Sequence, residues 1–363
     1  MLYRQERCAP VFFHEKPWDQ SGFGLNILFI PQRMDNQKNK KHVFPCGTQA
    51  ESGLLFSFEP VTLKSFSVHD NGHEDDMTVL GVLFFNGKDF FLSKETSDTG
   101  GEQYAFYELP CREKEFSCIS IPVIFEGLPS IGEYMGNVRF VNHRDGWIYM
   151  CYSISTDFHF PKDGVPRGVR KGVLRSRDVF SWEALPEITT EFDDHDDMII
   201  HPDFIDNGYG LFTMPLIARD SARKGCCVAF GTSYTVNPIC IDSELVFNEF
   251  KTDVIVGNYS FGPPPLRTAL GWLQMIQYFV ETDQHTKLVC EVFIADPHLV
   301  FKIIFKPKKC LIELTGINQN IDLPVIPSCI AWKITPEGEL VVYMINVFGG
   351  LEVSRTLFSD IVV

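Results

Sequence analysis

Residues 193–214 read DDHDDMIIHPDFIDNGYGLFTM, and this stretch decides the fold. Apolar Met198, Ile199 and Ile200 run into His201-Pro202-Asp203, Phe204 and Ile205 follow, and the chain reverses at Asp206-Asn207-Gly208 before Tyr209, Leu211 and Phe212. Two short apolar runs joined by an Asn-Gly turn predict a β-hairpin, because such a turn needs positive φ at its centre. Aspartates and histidines crowd the entrance to the same hairpin.

The hairpin recurs. Val82-Leu83-Phe84-Phe85 turns at Asn86-Gly87 into Phe90-Phe91-Leu92, and Val138-Arg139-Phe140-Val141 turns near Asp145-Gly146 into Trp147-Ile148-Tyr149-Met150. Pro263-Pro264-Pro265-Leu266 turns near Gly271 into Trp272 to Ile276, and Cys329 to Trp332 turns near Glu337-Gly338 into Leu340 to Tyr343. The turn glycines Gly87, Gly146, Gly208, Gly271 and Gly338 are separated by 59, 62, 63 and 67 residues. A near-constant period of this length is a repeat signature, and each period accommodates a four-stranded antiparallel sheet with one long loop. Helical apolar spacing is scarce, so the pattern predicts an all-β chain, a five-bladed β-propeller over residues 76–363. Residues 1–75 do not fit the period and are expected to form an irregular N-terminal extension that closes the ring. The alternatives are a β-sandwich with regular turns, or two domains divided near Asp220 to Lys224.

The chain has 363 residues, 45% of them hydrophobic, and a formal charge of −15. That length buries a large core, and that charge argues against a general nucleic-acid binder, which needs excess Lys and Arg to displace counterions. The charged start and the lack of a long apolar run predict neither a signal peptide nor a membrane span, so the expected location is cytoplasmic. Eleven cysteines, including adjacent Cys226-Cys227, show no C-x-x-C pairing and favour reduced thiols. No cofactor is expected, and a homo-oligomer is left open.

In a propeller the first strand of each blade lines a common axial cavity. Lys94, Arg139, Arg170 and Arg267 come from four repeats, and their convergence would make a phosphate or sugar-phosphate site, because guanidinium forks match phosphate oxygens. The alternative is that each is a surface cation or an inter-blade ion pair. Three readings fit the acidic cluster. It is a solvated loop, or a metal site built from His195, His201, Asp194, Asp196, Asp197 and Asp203 without a recognised ligand spacing, or carbohydrate-binding carboxylates. In the last case crowding raises a carboxyl pKa and lets it hold a proton. Gly262-Pro263-Pro264-Pro265 stiffens the chain and removes three backbone donors. Trp147, Tyr149, Trp182, Tyr209, Trp272 and Tyr278 are aromatics that can stack on sugar, with most expected in the core.

The succession GNVRFVNHRDGWIYMCYSISTD, RKGVLRSRDVFSWE, DDHDDMIIHPDF, GPPPLRTALGWLQMIQYF and LPVIPSCIAWKITPEGELVVYMI resembles the β-mannoside phosphorylases of glycoside hydrolase family 130. The match runs from about residue 78 to the C-terminus, and the branch it is most similar to is the protist β-1,2-mannan mannosyltransferase/phosphorylases of glycosyltransferase family 108. The resemblance implies a five-bladed propeller that transfers mannose between a β-mannooligosaccharide and phosphate with inversion, giving mannose 1-phosphate, or transfers it from GDP-mannose. It implies phosphate contacts at Lys94, Arg139, Arg170, Arg267 and, depending on the alignment, His195 or Asp196, with no metal; His201, Asp203, Gln277, which stands where the family has His, and Tyr278 are the sugar-binding candidates. It also exposes a departure. The family's Glu-Asp-Pro-Arg is here Gly136-Asn137-Val138-Arg139, so Asn137 stands where the family places its proton donor, and an amide cannot serve as that acid. Asn137, Asp196 and Asp197 are therefore the catalytic candidates, with either aspartate as the substitute acid or base. The alternative is a carbohydrate-binding pseudoenzyme of the same fold.

Overall fold

The computed structural model describes residues 59–60, 77–96, 102–109, 120–122, 124–125, 134–155, 170–186, 188–190, 195–215, 226–241, 244–250, 256–281, 286–307, 312–317, 327–346 and 349–362. These form five sheets in chain order. The first contains Met77–Phe85, Lys88–Thr96, Glu102–Glu108 and Ser120–Pro122. The second contains Tyr134–Asn142, Ile148–Ser155, Arg170–Ser176 and Ser181–Ala184, with Ile124–Phe125 parallel on its edge. His195–Ile205, Gly208–Pro215, Cys226–Ser233 and Leu245–Phe250 make the third. Val256–Phe261, Trp272–Glu281 and Thr286–Ala295 make the body of the fourth, and Ser328–Ile334, Glu339–Ile345 and Leu351–Leu357 that of the fifth. Glu59–Pro60 pairs antiparallel with Leu351–Leu357, so the earliest described strand lies on the edge of the last sheet. One short helix, Phe358–Ile361, follows. Among the described residues no helix is long and apolar enough to cross a membrane.

The strands are apolar on both faces because the sheets stack face to face. In Lys88–Thr96, Phe91 packs toward the fifth sheet with Tyr107 and Val341, while Phe90 and Leu92 pack toward the second with Phe106 and Phe140. The core continues between the second, third and fourth sheets through Tyr149, Ile199, Phe212 and Ile276, and between the fourth and fifth through Leu273, Val292, Trp332 and Leu340. Each such side chain, wholly buried, contributes about 1.5–3 kcal/mol relative to exposure.

Four of the five turn glycines have the positive φ expected of them: Gly87 at 74°, Gly146 at 84°, Gly271 at 148° and Gly338 at 84°. The hairpin of the third sheet differs. Ile205 pairs with Gly208, so the two-residue loop is Asp206-Asn207, with φ of 51° and 63°. Gly208 is the first residue of the return strand, where a Cβ would stand 3.0 Å from the Ser233 carbonyl oxygen. The fourth repeat also differs, because its first strand is Val256–Phe261 rather than the proline run. Proline has no N–H for a ladder, so residues 263–265 lie outside it, and the chain resumes pairing at Leu266–Arg267 against Trp272.

Candidate functional site

Three neighbouring first strands carry the same irregularity. In the second sheet Gly136 pairs with Ser153 but Arg139 with Cys151, so three residues advance against two. His195 against Pro215 and Met198 against Thr213 repeat this in the third sheet, as do Val256 against Val280 and Tyr259 against Tyr278 in the fourth. The extra residue makes a β-bulge, which bends the strand and re-aims side chains. Asn137-Val138, Asp196-Asp197 and Gly257-Asn258 occupy the three bulges. Leu80 and Ile330 occupy smaller ones in the first and fifth sheets.

Directly beside the bulges, Arg139 and Asp197 form a buried ion pair at 3.2 Å, with side chains 0% and 4% exposed. The Arg139 guanidinium also donates to the Gly262 carbonyl oxygen through Nε at 2.6 Å, and through a terminal nitrogen to the Phe261 carbonyl oxygen. Asp197 accepts the Phe261 N–H at 2.9 Å and the Met198 N–H at 2.8 Å. Burial raises the Asp197 carboxyl above its ordinary range, against the opposing pull of Arg139, the two backbone N–H groups and Lys171. Gln277 donates to the same Phe261 oxygen at 3.0 Å and accepts the Cys329 N–H at 2.9 Å. The Phe261 peptide unit is therefore gripped by side chains from three sheets, with the fifth attached through Gln277. The proline run that follows keeps its carbonyls, and Trp332 Nε1 donates to that of Pro264 at 2.6 Å.

This arrangement revises several sequence expectations. Arg139 directs its guanidinium at the internal acceptors Phe261, Gly262 and Asp197, and so braces the junction of three sheets. Arg267 is exposed at the hairpin end, over the Trp272 ring at 5.1 Å and 3.4 Å from the Pro297 carbonyl oxygen. Lys94 is half-buried, in register with Thr78 and Tyr104. Arg139 and Arg170 lie on strands of the same second sheet, with Lys94 in the first and Arg267 in the fourth, so the four cations come from three sheets and not from four. Gln277 and Tyr278, the sugar-binding candidates, have internal partners, Gln277 at Phe261 and Cys329 and Tyr278 donating to Glu291 at 2.7 Å. The side chains of Asn137, Arg170, His195 and Asp196 lie outside the described residues, while their backbone positions in the strands are as given.

The acidic stretch is divided. His201 is a four-residue step along the strand from Asp197, about 13 Å. A second irregularity, Ile200 against Leu211 and then Phe204 against Tyr209, carries His201-Pro202-Asp203 at the hairpin end. There the buried His201 ring lies edge-on to Trp272 at 4.3 Å, and its Nδ1 accepts the Asp203 N–H at 3.1 Å. Burial pushes its pKa down to about 4, so the ring is neutral at pH 7. Asp203 pairs with Arg144 at 3.2 Å.

Sequence reading also passed over Asp145. Its carboxylate lies 3.0 Å from His143 Nδ1 and accepts the Trp147 N–H at 2.9 Å and the hydroxyls of Tyr149 at 2.7 Å and Tyr209 at 3.1 Å. Burial pushes the carboxyl up, but His143, Trp147 and Tyr149 outweigh it and hold the pKa at about 2. Its sequence signal is the Asp145-Gly146 pair, which marks a turn and gives no sign of the partners that gather on the carboxylate. No group of three or more metal-ligating side chains occurs among the described residues.

An all-β chain of face-stacked antiparallel sheets is the class that this fold defines. In fold it is similar to the β-1,2-mannobiose phosphorylase from Listeria innocua, with a TM-score of 0.55 and 13% identity over 86% of this chain and 97% of that one. In sequence it is similar to the 4-O-β-D-mannosyl-D-glucose phosphorylase of Bacteroides fragilis, 22% identical over 264 residues that make up 70% of this chain. The match spans 63% of that relative's length. A mannose phosphorylase from Leishmania mexicana, solved with phosphate ion, gives a TM-score of 0.44 at 13% identity over 78% of this chain and 84% of that one. No family model matches the chain. The sequence likeness is thus to a mannoside phosphorylase, the kind of protein that the motifs resemble.

Proposed function

We propose that the chain is a five-bladed β-propeller enzyme that moves β-linked mannose between a mannooligosaccharide and phosphate, or from GDP-mannose to the oligosaccharide. The observation that carries this reading is the meeting of three motifs at one point. GNVR, DDHDD and GPPP, far apart in sequence, join through Arg139, Asp197 and the Phe261-Gly262 backbone. The sequence likeness to a mannosyl-glucose phosphorylase supports the same reading. The packing of the fifth sheet on the first supports a closed ring of five blades, with residues 76–363 as the catalytic unit and residues 1–75 as its extension. We place the protein in the cytoplasm.

Within this reading the bulges present the reacting groups. Asp197 is committed to Arg139 and two backbone N–H groups, so Asp196 is the carboxyl that carries the proton, and Asn137 hydrogen-bonds a sugar hydroxyl. Phosphate attacks the anomeric carbon, the glycosidic C–O bond breaks, and the proton reaches the leaving oxygen from Asp196. Inversion converts the β-linkage into α-mannose 1-phosphate.

The test is incubation of the purified protein with phosphate and either β-1,2-mannobiose or 4-O-β-D-mannosyl-D-glucose, and separately with GDP-mannose and mannose. Release of α-mannose 1-phosphate, or elongation of mannose, is the expected result. Neither product from any substrate overturns the reading. Turnover that Asp196→Asn lowers by about 100-fold or more supports its acid role, whereas turnover unchanged by that substitution removes it.

A further inference from the structure

Two adjacent cations, Arg170 and Lys171, open the third strand of the second sheet, and strand register assigns them to opposite faces. Residues directly opposite in an antiparallel pair share a face, and residues two apart along a strand return to it. The row Arg139–Cys151–Val173 faces the third sheet, because Arg139 meets Asp197 there and Cys151 and Val173 pack in the same core as Met198 and Ile199. The next row on that face, toward the bulge, is Gly136–Ser153–Lys171. Arg170 belongs to the row Met135–Ile154–Arg170, whose Met135 packs toward the first sheet with Leu80 and Phe140.

Gly136 has no side chain, and the Ser153 hydroxyl donates to the Gly136 carbonyl oxygen at 3.2 Å, so Lys171 is the charged member of its row. It is half-buried, and its charge reaches Asp197, where it adds to that of Arg139. An anionic ligand brought to the Asp196-Asp197 bulge meets two carboxyls and needs a cation. Arg139 is occupied by Phe261, Gly262 and Asp197, and Arg267 stands at the other end of its sheet over Trp272.

We propose that Lys171 supplies the cation that engages a ligand oxyanion, a phosphate or the phosphate of a mannose donor, at the junction of the second and third sheets. This rests on the phosphorylase/mannosyltransferase reading and extends it to a residue that the resemblance did not implicate. Lys171→Met is expected to lower kcat/KM for phosphate by about tenfold or more while the KM for the mannoside stays within about twofold, with Lys171→Arg recovering most of the loss.

Arg170→Met and the thermal shift caused by inorganic phosphate complete the experiment. In an active wild type, an unchanged phosphate kcat/KM in Lys171→Met, or a loss seen in Arg170→Met alone, overturns the inference and leaves the function standing. In a wild type that turns over none of the substrates the function falls, and the thermal shift decides. Stabilisation by phosphate that Lys171→Met abolishes supports the oxyanion site. Equal stabilisation in both proteins, or none in either, overturns it.

Discussion

A guanidinium taken out of water keeps its charge, so Arg139 is tolerated only because acceptors surround it. Removing it takes the ion-pair partner from the buried Asp197 carboxylate and leaves it the Phe261 and Met198 N–H groups and the charge of Lys171. Arg139→Met is therefore expected to cost about 3–5 kcal/mol in urea unfolding at pH 7. A second titratable side chain sets a pH dependence. His201 has its folded pKa near 4 against 6.5 in the unfolded chain, so the unfolded state binds more protons between these values. Stability is fully present above pH 6.5 and is lost as pH falls toward 4, by up to about 3 kcal/mol. Unfolding at pH 7, 5.5 and 4.5 should show this slope, and His201→Phe should flatten it. An unchanged slope would mean that another group titrates. Neither role was legible in the sequence. Arg139 and Asp197 lie 58 residues apart, and spacing cannot distinguish a cation aimed at a ligand from one that neutralises a partner.

At the scale of the element, turns were legible and bulges were not. Positive φ restricts residue choice locally, which is why glycine marked four hairpins at the right place. A bulge is defined by how two strands pair, so nothing in GNVR or HDDM alone announces it. The third hairpin shows where local rules mislead, since Asp206-Asn207 takes the left-handed region although a glycine stands next to it. This costs the folded state some backbone strain. Asn207→Gly is expected to raise stability by a few tenths to about 1 kcal/mol, whereas Gly208→Ala, which crowds the Ser233 carbonyl, should lower it. Chemical denaturation of both variants checks the assignment. The opposite order would restore the loop to Asn207-Gly208.

At the scale of the molecule, the period of turn glycines announced five sheets, yet it could not show what ties them together. Gln277 is one such tie, joining the Phe261 carbonyl to the Cys329 N–H across two sheets. The Phe261 oxygen has a second donor in Arg139, whereas the Cys329 N–H donates to Gln277 Oε1. Gln277→Leu should therefore cost about 1–3 kcal/mol, the penalty of one buried donor left unmet. Combined with Arg139→Met, it also strips the Phe261 oxygen of both donors, so the double variant should lose at least about 0.5 kcal/mol more than the two single losses together. Because these ties join the second to fifth sheets, the wild type should unfold in one step, with tryptophan fluorescence and far-ultraviolet circular dichroism superimposing. Sheets that behaved as independent units would instead give separate transitions and strictly additive variants.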